Sequence, residues 1–281
     1  MTDDVRIDCA MCAMLNRSIN RFIEIDGAMD ISMHTSSIID ARIQLIAERI
    51  REATRLTIMT GAGVSAASGV PTFRGQDGLW RQYRAEDLAT ADAFARNPRL
   101  VWEWYDWRRQ LIAGCRPNAA HDVIARWSKR HGTAVITQNV DDLHLAAGTQ
   151  GLIRLHGSIW ELACWGRCPQ GATPWRDDRV PLDQPRCPLC GQLARPAVVW
   201  FGESLRREDV EAATSATACD VFLTVGTSAI VYPAAGLVHE ARRHGAFTAE
   251  INLEATPASS AVDVAIQGSA EEILPAIHRL L

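Results

Sequence analysis

The sequence has no apolar run that approaches the roughly 18 residues needed to cross a bilayer. Its first residues show no basic region followed by an apolar stretch, as a secretory signal would, and the chain contains no internal repeat. The formal net charge is only −4, so the basic excess of a general nucleic-acid-binding protein is also missing. These absences predict a cytoplasmic protein with no membrane partner and no direct nucleic-acid partner, and they leave the oligomeric state open.

Aromatic residues make up only 6% of the chain, whereas hydrophobic residues make up 47% and charged residues 22%, as in a soluble globular protein. The 281 residues are enough for one large domain with an insertion or for two small domains. Four of the eight cysteines form two close pairs within one segment. In a chain of this size, that arrangement indicates metal binding in a reducing compartment rather than a disulfide scaffold.

A glycine-rich stretch follows the first predicted strand, Leu56–Thr60. Gly61-Ala62-Gly63 opens a predicted helix, an arrangement that cradles phosphate groups in dinucleotide-binding folds. On its own, this short pattern is equally compatible with a simple tight turn between a strand and a helix. The polar run that follows carries Phe73 and Arg74, which is typical of a loop that lies over a ligand.

Helical spacing predicts helices over Ile38–Glu52, from Asn97-Pro98 to Gly114, and over Asn118–Lys129. In the second of these helices, Tyr105 and Arg108 are three residues apart and therefore share a face. The alternative is that the aromatic residues of this helix are core and that Arg108 and Arg109 are solvated.

Polar residues follow most of the remaining predicted strands. A histidine directly after a short strand, as His156 is, suits a general base because its pKa lies near neutrality. Strands that alternate with helices predict a parallel α/β sheet, whose strand ends bind ligands at their carboxyl edge. The predicted strands are Thr133–Thr137, Leu152–Leu155, Asp220–Val225, Phe247–Ile251 and Val262–Ile266, and a last helix runs to Leu281.

The two cysteine pairs are Cys164-x3-Cys168 and Cys187-x2-Cys190. Pairs at this separation form tetrahedral thiolate sites in zinc-ribbon modules, and four thiolates leave no open position for catalysis. The first pair is one residue wider than usual, which puts its geometry in question. A separate Cys9-x2-Cys12 near the N-terminus favours two free thiols in a loosely ordered extension over a zinc or redox site.

Several motifs occur together in the order seen in sirtuins, which are NAD-dependent protein lysine deacylases. They are GAGVSAASGVPTFRG, TQNVDDLH, LHG, the two cysteine pairs, VVWFGE, GTS and Asn252-Leu253-Glu254. The resemblance covers about residues 38–281, and the segment LATADAFARNPRLVWEWYDWRRQ further resembles the class III subgroup, which acts on succinyl- and malonyl-lysine. Ala67 departs from the subgroup, whose members often have an acidic residue there.

The resemblance implies a Rossmann-like parallel sheet with helices on both faces, a helical insertion and a small zinc-ribbon module. The implied core spans about residues 36–80, 118–158 and 198–281, with the insertion at about 81–117 and the zinc module at about 159–197. Residues 1–35 remain as an extension that we expect to be poorly ordered.

The resemblance also implies a role for each matching residue. The catalytic base would be His156, and the ligands of one structural zinc ion would be Cys164, Cys168, Cys187 and Cys190. NAD would be held by Gly61, Ala62, Gly63, Ser65, Thr72, Phe73, Arg74, Trp80, Gln138, Asn139, Asp141, Gly226, Thr227, Ser228, Asn252, Leu253, Glu254 and Ala270. The acyl-lysine protein or peptide would contact Tyr105, Arg108, Ala89, Val199, Phe201 and Gly202, with Val199–Glu203 beside its backbone as an added strand.

The implied reaction transfers the acyl group of lysine to ADP-ribose. It yields nicotinamide, free lysine and O-acyl-ADP-ribose, with His156 removing a proton from a ribose hydroxyl. Two other functions are compatible with an NAD site: a non-catalytic NAD or ADP-ribose sensor, and a protein ADP-ribosyltransferase. The histidine of the LHG motif argues against the sensor.

Overall fold

The computed structural model describes residues 31–71, 83–166, 168 and 173–281. The chain divides into two units, residues 1–40 and residues 41–281. Within the first unit, the described part is the beginning of a helix, so most of the predicted extension, with Cys9 and Cys12, lies outside the described residues. Among the helices that the structure describes, none is long and apolar enough to cross a membrane.

Six parallel strands form the main sheet. They are β1 (Leu56–Thr60), β2 (Thr133–Thr137), β3 (Leu152–Arg154), β7 (Val221–Val225), β8 (Phe247–Asn252) and β9 (Val264–Gln267), and their order across the sheet is β3-β2-β1-β7-β8-β9. Their cores are short runs of buried apolar or β-branched residues, which is the pattern of strands covered on both faces. The predicted parallel α/β sheet is therefore confirmed, with boundaries that move by at most two residues.

The helices of the described chain connect these strands and form the insertion. They are α1 (Ile31–Glu52), α2 (Ala85–Leu88), α3 (Ala91–Arg96), α4 (Pro98–Ala113), α5 (Ala119–Trp127), α6 (Leu143–Ala146), α7 (Arg207–Ala216), α8 (Leu237–Arg243) and α9 (Ala270–His278). Both α4 and α5 begin with a capping asparagine: Asn97 accepts a hydrogen bond from Leu100 N at 3.1 Å, and Asn118 accepts one from Ala120 N at 3.0 Å.

Several details of the helix prediction were wrong. Helix α5 ends at Trp127 rather than at Lys129, and the last helix ends at His278 rather than at Leu281. Helix α1 begins at Ile31 rather than at Ile38. The segment after the glycine turn is a 3₁₀ helix, Ala62–Ser68, which ends at Gly69 in the left-handed conformation with φ 88°. A tighter helix with only seven residues is enough to turn the chain away from the sheet after β1.

The carboxyl ends of the central strands lie level with one another. Thr60 at the end of β1 pairs with Thr137 of β2 on one side and with Val225 of β7 on the other. Because β2 and β3 lie on one side of β1 and β7 to β9 on the other, the strand order reverses here. A parallel sheet opens a crevice at such a switch point, and this crevice is where ligands bind.

A second, antiparallel sheet carries the cysteine pairs. Its strands are β5 (Trp175–Arg176), β4 (Gly157–Cys164) and β6 (Ala194–Val198), in that order. Helix α4 packs against this sheet, and its buried Trp102 donates a hydrogen bond from Nε1 to Ala194 O at 2.9 Å. The insertion and the second sheet thus share one aromatic-rich core, and another core cluster lies between the main sheet and helices α7 and α8.

Candidate active site

The glycine turn after β1 packs directly on the turn after β7. Gly61 N donates to Val225 O at 3.1 Å, and Gly63 N donates to Gly226 O at 2.8 Å. A Cβ added to Gly63 would lie 2.8 Å from Gly226 Cα, and one added to Gly61 would lie 2.8 Å from Thr227 Cα. The glycines are therefore required for the approach of two backbones, whether or not a phosphate is bound. The predicted contacts Thr72, Phe73, Arg74 and Trp80 lie outside the described residues.

A buried polar cluster lies beside this turn. Ser65 donates a hydrogen bond to Asp141 Oδ2 at 2.8 Å and accepts one from Asn139 Nδ2 at 3.1 Å. Burial raises the pKa of Asp141, while hydrogen bonds from Leu143 N and Ser65 and the charge of Arg108 oppose that rise. The structure thus brings three predicted site residues from two strand ends into one hydrogen-bonded group.

Two histidines complete this cluster, although the sequence did not single them out. His121 Nε2 is 3.3 Å from Ser65 Oγ, and His144 Nε2 is 2.9 Å from Thr60 Oγ1. Their rings lie 4.9 Å apart, and burial lowers the pKa of His121 to about 4 and that of His144 to about 3. Both histidines are therefore neutral at physiological pH, and they support Ser65 and the end of β1 as uncharged hydrogen-bonding groups.

A second group of side chains joins the ends of β2, β7 and β8. Gln138 Nε2 donates to Thr227 Oγ1 at 2.8 Å, and Asn252 Nδ2 donates to Thr227 O at 2.7 Å. Ser228 is half-buried next to them, and Leu253 and Glu254 are exposed. Ala270 is buried at the start of α9. With the glycine turn after β1, which lies between β2 and β7, the ends of four neighbouring strands thus form one continuous polar rim.

His156 lies two residues beyond β3, and its ring is oriented by the backbone of the neighbouring strand end. Its Nδ1 lies 2.9 Å from Gln138 O. Because a carbonyl oxygen can only accept, Nδ1 carries the hydrogen, and the neutral ring keeps a lone pair on Nε2. Burial lowers the pKa of His156, and the hydrogen bond to Gln138 partly opposes this shift. The imidazole is therefore a neutral base at physiological pH.

Tyr105 and Trp200 meet in the aromatic core between α4 and the segment after β6. Trp200 Nε1 donates a hydrogen bond to Tyr105 Oη at 2.9 Å, and both side chains are buried. Burial raises the pKa of Tyr105 to about 12. The phenol is therefore neutral over the physiological range, and the residue is a core aromatic that also presents a hydroxyl group.

The two adjacent arginines of α4 have different surroundings. The guanidinium of Arg108 lies 5.2 Å from the centroid of the Trp104 ring, and burial lowers the pKa of Arg108 while Tyr105 and Asp141 oppose that shift. Arg109 has no exposed surface. It donates to Ile159 O at 2.7 Å, to Arg179 O at 3.1 Å and also to Asp177 O. The alternative in which both arginines are solvated is therefore wrong, because Arg109 links α4 to the cysteine-bearing sheet.

The segment from Val199 to Glu203 lies against the turn that follows α2. Phe201 N donates to Ala89 O at 2.9 Å, and Phe201 pairs with Thr90 in a short parallel bridge. Phe201 and Gly202 are exposed, Val199 is half-buried, and Ala89 is 8% exposed. This segment therefore ends in an exposed turn, in which Glu203 N donates to Trp200 O at 2.9 Å and Gly202 has φ 84°, beside the small side chain of Ala89.

The four predicted zinc ligands converge. All four Sγ atoms lie within 4.8 Å of one another, with Cys164 and Cys190 3.5 Å apart and Cys168 and Cys187 3.7 Å apart. Tetrahedral zinc with Zn–S bonds of about 2.3 Å places its sulfurs about 3.8 Å apart. The wider first pair thus does not prevent a closed four-thiolate site, and the donor set fits one structural zinc ion.

Comparison with known proteins agrees with this geometry. Residues 61–233 match the Sir2 family. An NAD-dependent protein deacylase of Pyrococcus furiosus is 48% identical over 222 residues, which are 77% of this chain and 88% of that protein. A solved structure of a Sir2 homologue with NAD is 40% identical, with a TM-score of 0.79 over 84% of this chain and 93% of that one. A Sir2 structure with a p53 peptide and NAD⁺ is 27% identical, with a TM-score of 0.74 over 84% and 97%.

Proposed function

The chain belongs to the Sir2 family and is an NAD-dependent protein deacylase, and from this premise we propose that it removes succinyl and malonyl as well as acetyl groups from lysine side chains. The products are nicotinamide, free lysine and O-acyl-ADP-ribose. The observation that carries the acidic-acyl preference is that Tyr105, which is buried, and Arg108, which is half-buried, lie one helical turn apart on α4 and interact electrostatically. Neither a non-catalytic sensor nor an ADP-ribosyltransferase is favoured by the family.

The rim of polar strand ends would hold NAD, whose ribose supplies the anomeric carbon that releases nicotinamide and the hydroxyl oxygen that finally carries the acyl group. The glycine turn, which has no side chains to block a close approach, would lie beside the phosphates, and the Asn252–Glu254 turn would lie beside the adenosine half. Asn139 and Asp141, fixed by Ser65, suit the nicotinamide end. This assignment is supported by the chemistry of the polar groups, since amide and hydroxyl donors and one carboxylate acceptor lie at neighbouring strand ends.

His156 would act as the general base. The hydrogen bond from Nδ1 to Gln138 O fixes the tautomer and leaves the Nε2 lone pair to take a proton from a ribose hydroxyl. A positioned proton transfer typically contributes about 10²- to 10⁴-fold to the rate. We expect His156→Ala to lose at least that part of kcat while its thermal melting temperature stays close to that of the wild type. Near-normal turnover by this variant would remove His156 from the role.

The acyl carboxylate would be bound by two groups on α4. The guanidinium of Arg108 supplies positive charge, and the Tyr105 hydroxyl supplies a neutral donor. The small side chain of Ala89, next to Phe201, leaves room for an acyl chain longer than acetyl. The peptide backbone would lie along Val199–Glu203, and the structure of a Sir2 protein with a p53 peptide supports a polypeptide substrate.

Arg108→Met tests this assignment. Hydrogen bonds to a charged group are worth about 1.5 to 3 kcal/mol. One such bond therefore corresponds to roughly 10- to 100-fold in kcat/KM for a succinyl-lysine peptide. The acetyl-lysine peptide carries no carboxylate on its acyl group and should lose little. Arg99→Met is the matched control because Arg99 lies on the same helix with a side chain that is 75% exposed. Equal losses on both substrates would contradict the proposal.

The four thiolates would hold zinc as a structural ion, since they leave no open coordination position. The module they close lies against α4 through the Arg109 contacts, so it supports the proposed acyl site without taking part in the chemistry. A reducing compartment, as in the cytoplasm, would keep these thiols available for the metal.

A further inference from the structure

The hydrogen bond between Trp200 and Tyr105 has a fixed direction. An indole N–H can only donate, so the Tyr105 oxygen accepts at 2.9 Å and must direct its own hydrogen elsewhere. Burial raises the pKa of Tyr105 to about 12, so this hydrogen is retained at physiological pH. A hydroxyl without such a donor could rotate and present a lone pair, which would repel a carboxylate.

Trp200 itself is held from several sides. Its backbone N donates to Glu203 Oε2 at 2.9 Å, and the Arg195 guanidinium lies 3.4 Å from the centroid of its ring. Arg195 in turn donates to Glu203 Oε2 at 2.8 Å. The Phe94 ring centroid is 5.3 Å away, and the whole side chain is 1% exposed. The donor that meets Tyr105 is therefore fixed in position before any substrate arrives.

We propose that Trp200 is a positioning residue for acyl specificity: its indole N–H orients the Tyr105 hydroxyl as a donor towards an acyl chain that ends in a carboxylate. This inference rests on the proposed function, because it requires that Tyr105 and Arg108 bind the acyl carboxylate. It adds a residue that does not touch the acyl group and that lies on a different segment from α4. An acetyl group has no carboxylate, so its binding does not depend on the orientation of the Tyr105 hydroxyl.

The test is Trp200→Phe, which keeps an aromatic ring on Arg195 and removes the N–H. For a succinyl-lysine peptide, we expect KM to rise about tenfold, as for the loss of one hydrogen bond to a charged group, with kcat nearly unchanged. Because Trp200 lies in the Val199–Glu203 segment that would bind the peptide backbone, any loss of peptide binding falls on both peptides alike. The diagnostic result is therefore a roughly tenfold fall in the succinyl-to-acetyl ratio of kcat/KM. Trp102→Phe is the matched control because its buried indole makes a bond of the same length, 2.9 Å, to a backbone carbonyl. It should lower stability without changing the ratio of succinyl to acetyl activity.

A double-mutant cycle with Tyr105→Phe separates positioning from general damage. In the Tyr105→Phe background, Trp200→Phe should cause no further selective loss, because the hydroxyl it orients is gone. If Tyr105→Phe and Arg108→Met lower succinyl activity selectively but Trp200→Phe does not, this inference is overturned and the proposed function stands. If none of the three variants is selective, the proposed acidic-acyl function itself fails.

A second measurement does not depend on the folding of Trp200→Phe. In protein labelled with ¹⁵N at the tryptophan indoles, Tyr105→Phe removes the acceptor of the Trp200 N–H and keeps the ring. The indole proton signal of Trp200 should move upfield in this variant, as expected for a lost hydrogen bond. An unchanged signal would overturn the inference.

Discussion

Arg109 is one of the buried side chains that link α4 to the cysteine-bearing sheet, together with Trp102. Arg109 has no exposed surface and donates to three backbone carbonyls, those of Ile159, Asp177 and Arg179. Its guanidinium also lies 4.8 Å from the centroid of the Trp160 ring. We predict that Arg109→Met strongly destabilises the fold, because methionine keeps the apolar stem and removes every donor.

The magnitude follows from the carbonyls that lose their partner. A buried polar group left unsatisfied costs about 1 to 3 kcal/mol. Arg179 is exposed, so water can replace the lost bond there, and two carbonyls carry most of the cost. Removing a buried charge offsets part of it, because burial disfavours the charged form of Arg109. The net loss is about 3 kcal/mol, equivalent to a fall of about 6 to 12 °C in melting temperature for a chain of this size.

The assay is thermal unfolding followed by circular dichroism, with Arg99→Met as control. Arg99 lies on the same helix, has a side chain that is 75% exposed and pairs with Glu103 four residues on, so its loss should cost less than about 0.5 kcal/mol. Arg109→Lys keeps the charge but has fewer donors, so its melting temperature should lie between those of Arg109→Met and Arg99→Met. If Arg109→Met melts together with Arg99→Met, then Arg109 does not link α4 to the second sheet as we conclude.

Two further predictions concern the glycine turn beside the site and a hydrogen-bonded carboxylate just before β7. Gly63→Ala places a Cβ 2.8 Å from Gly226 Cα, and should cost about 1 to 3 kcal/mol and weaken NAD binding by calorimetry. Gly114→Ala, whose Cβ would lie 3.5 Å from Leu111 O, should neither destabilise the fold nor weaken NAD binding. Similar effects of both variants would contradict the claim that Gly63 is required for the close approach to Gly226. Asp220 accepts hydrogen bonds from Thr54, which lower its pKa, so Asp220→Asn should cost about 1 kcal/mol at pH 7. In urea titrations this difference should begin to shrink as the pH falls through about 4, the ordinary pKa of aspartate, and should be gone only below the lowered pKa of Asp220 in the folded protein. A pH-independent difference would refute the prediction.

Much of this architecture was predictable because it depends on local patterns. Strands β1, β2 and β7 are short apolar runs that each end in glycine or amide residues, and such runs mark the carboxyl edge of a parallel sheet. The histidine after β3 and the two cysteine pairs can likewise be recognised from residue type and spacing. These signals do not require knowledge of how distant segments pack.

The features that escaped prediction depend on tertiary contacts. Nothing in the adjacent pair Arg108-Arg109 indicates which arginine is buried, because this depends on how α4 meets the second sheet. His121 lies on a helix with no local signal, and only the packing of α5 against the glycine turn brings it to Ser65. The requirement for glycine at position 63 also depends on a distant segment, since a Cβ there would meet the backbone of Gly226.

The central claim is tested most directly by incubating the wild-type protein with NAD and peptides that carry acetyl-, malonyl-, succinyl- or glutaryl-lysine. Mass spectrometry identifies the products, and kcat/KM is compared across the panel. We predict NAD-dependent formation of free lysine, nicotinamide and O-acyl-ADP-ribose, with kcat/KM for succinyl and malonyl peptides at least equal to that for the acetyl peptide. Release of no nicotinamide with any peptide, or transfer of ADP-ribose to protein with the acyl-lysine intact, would contradict the account.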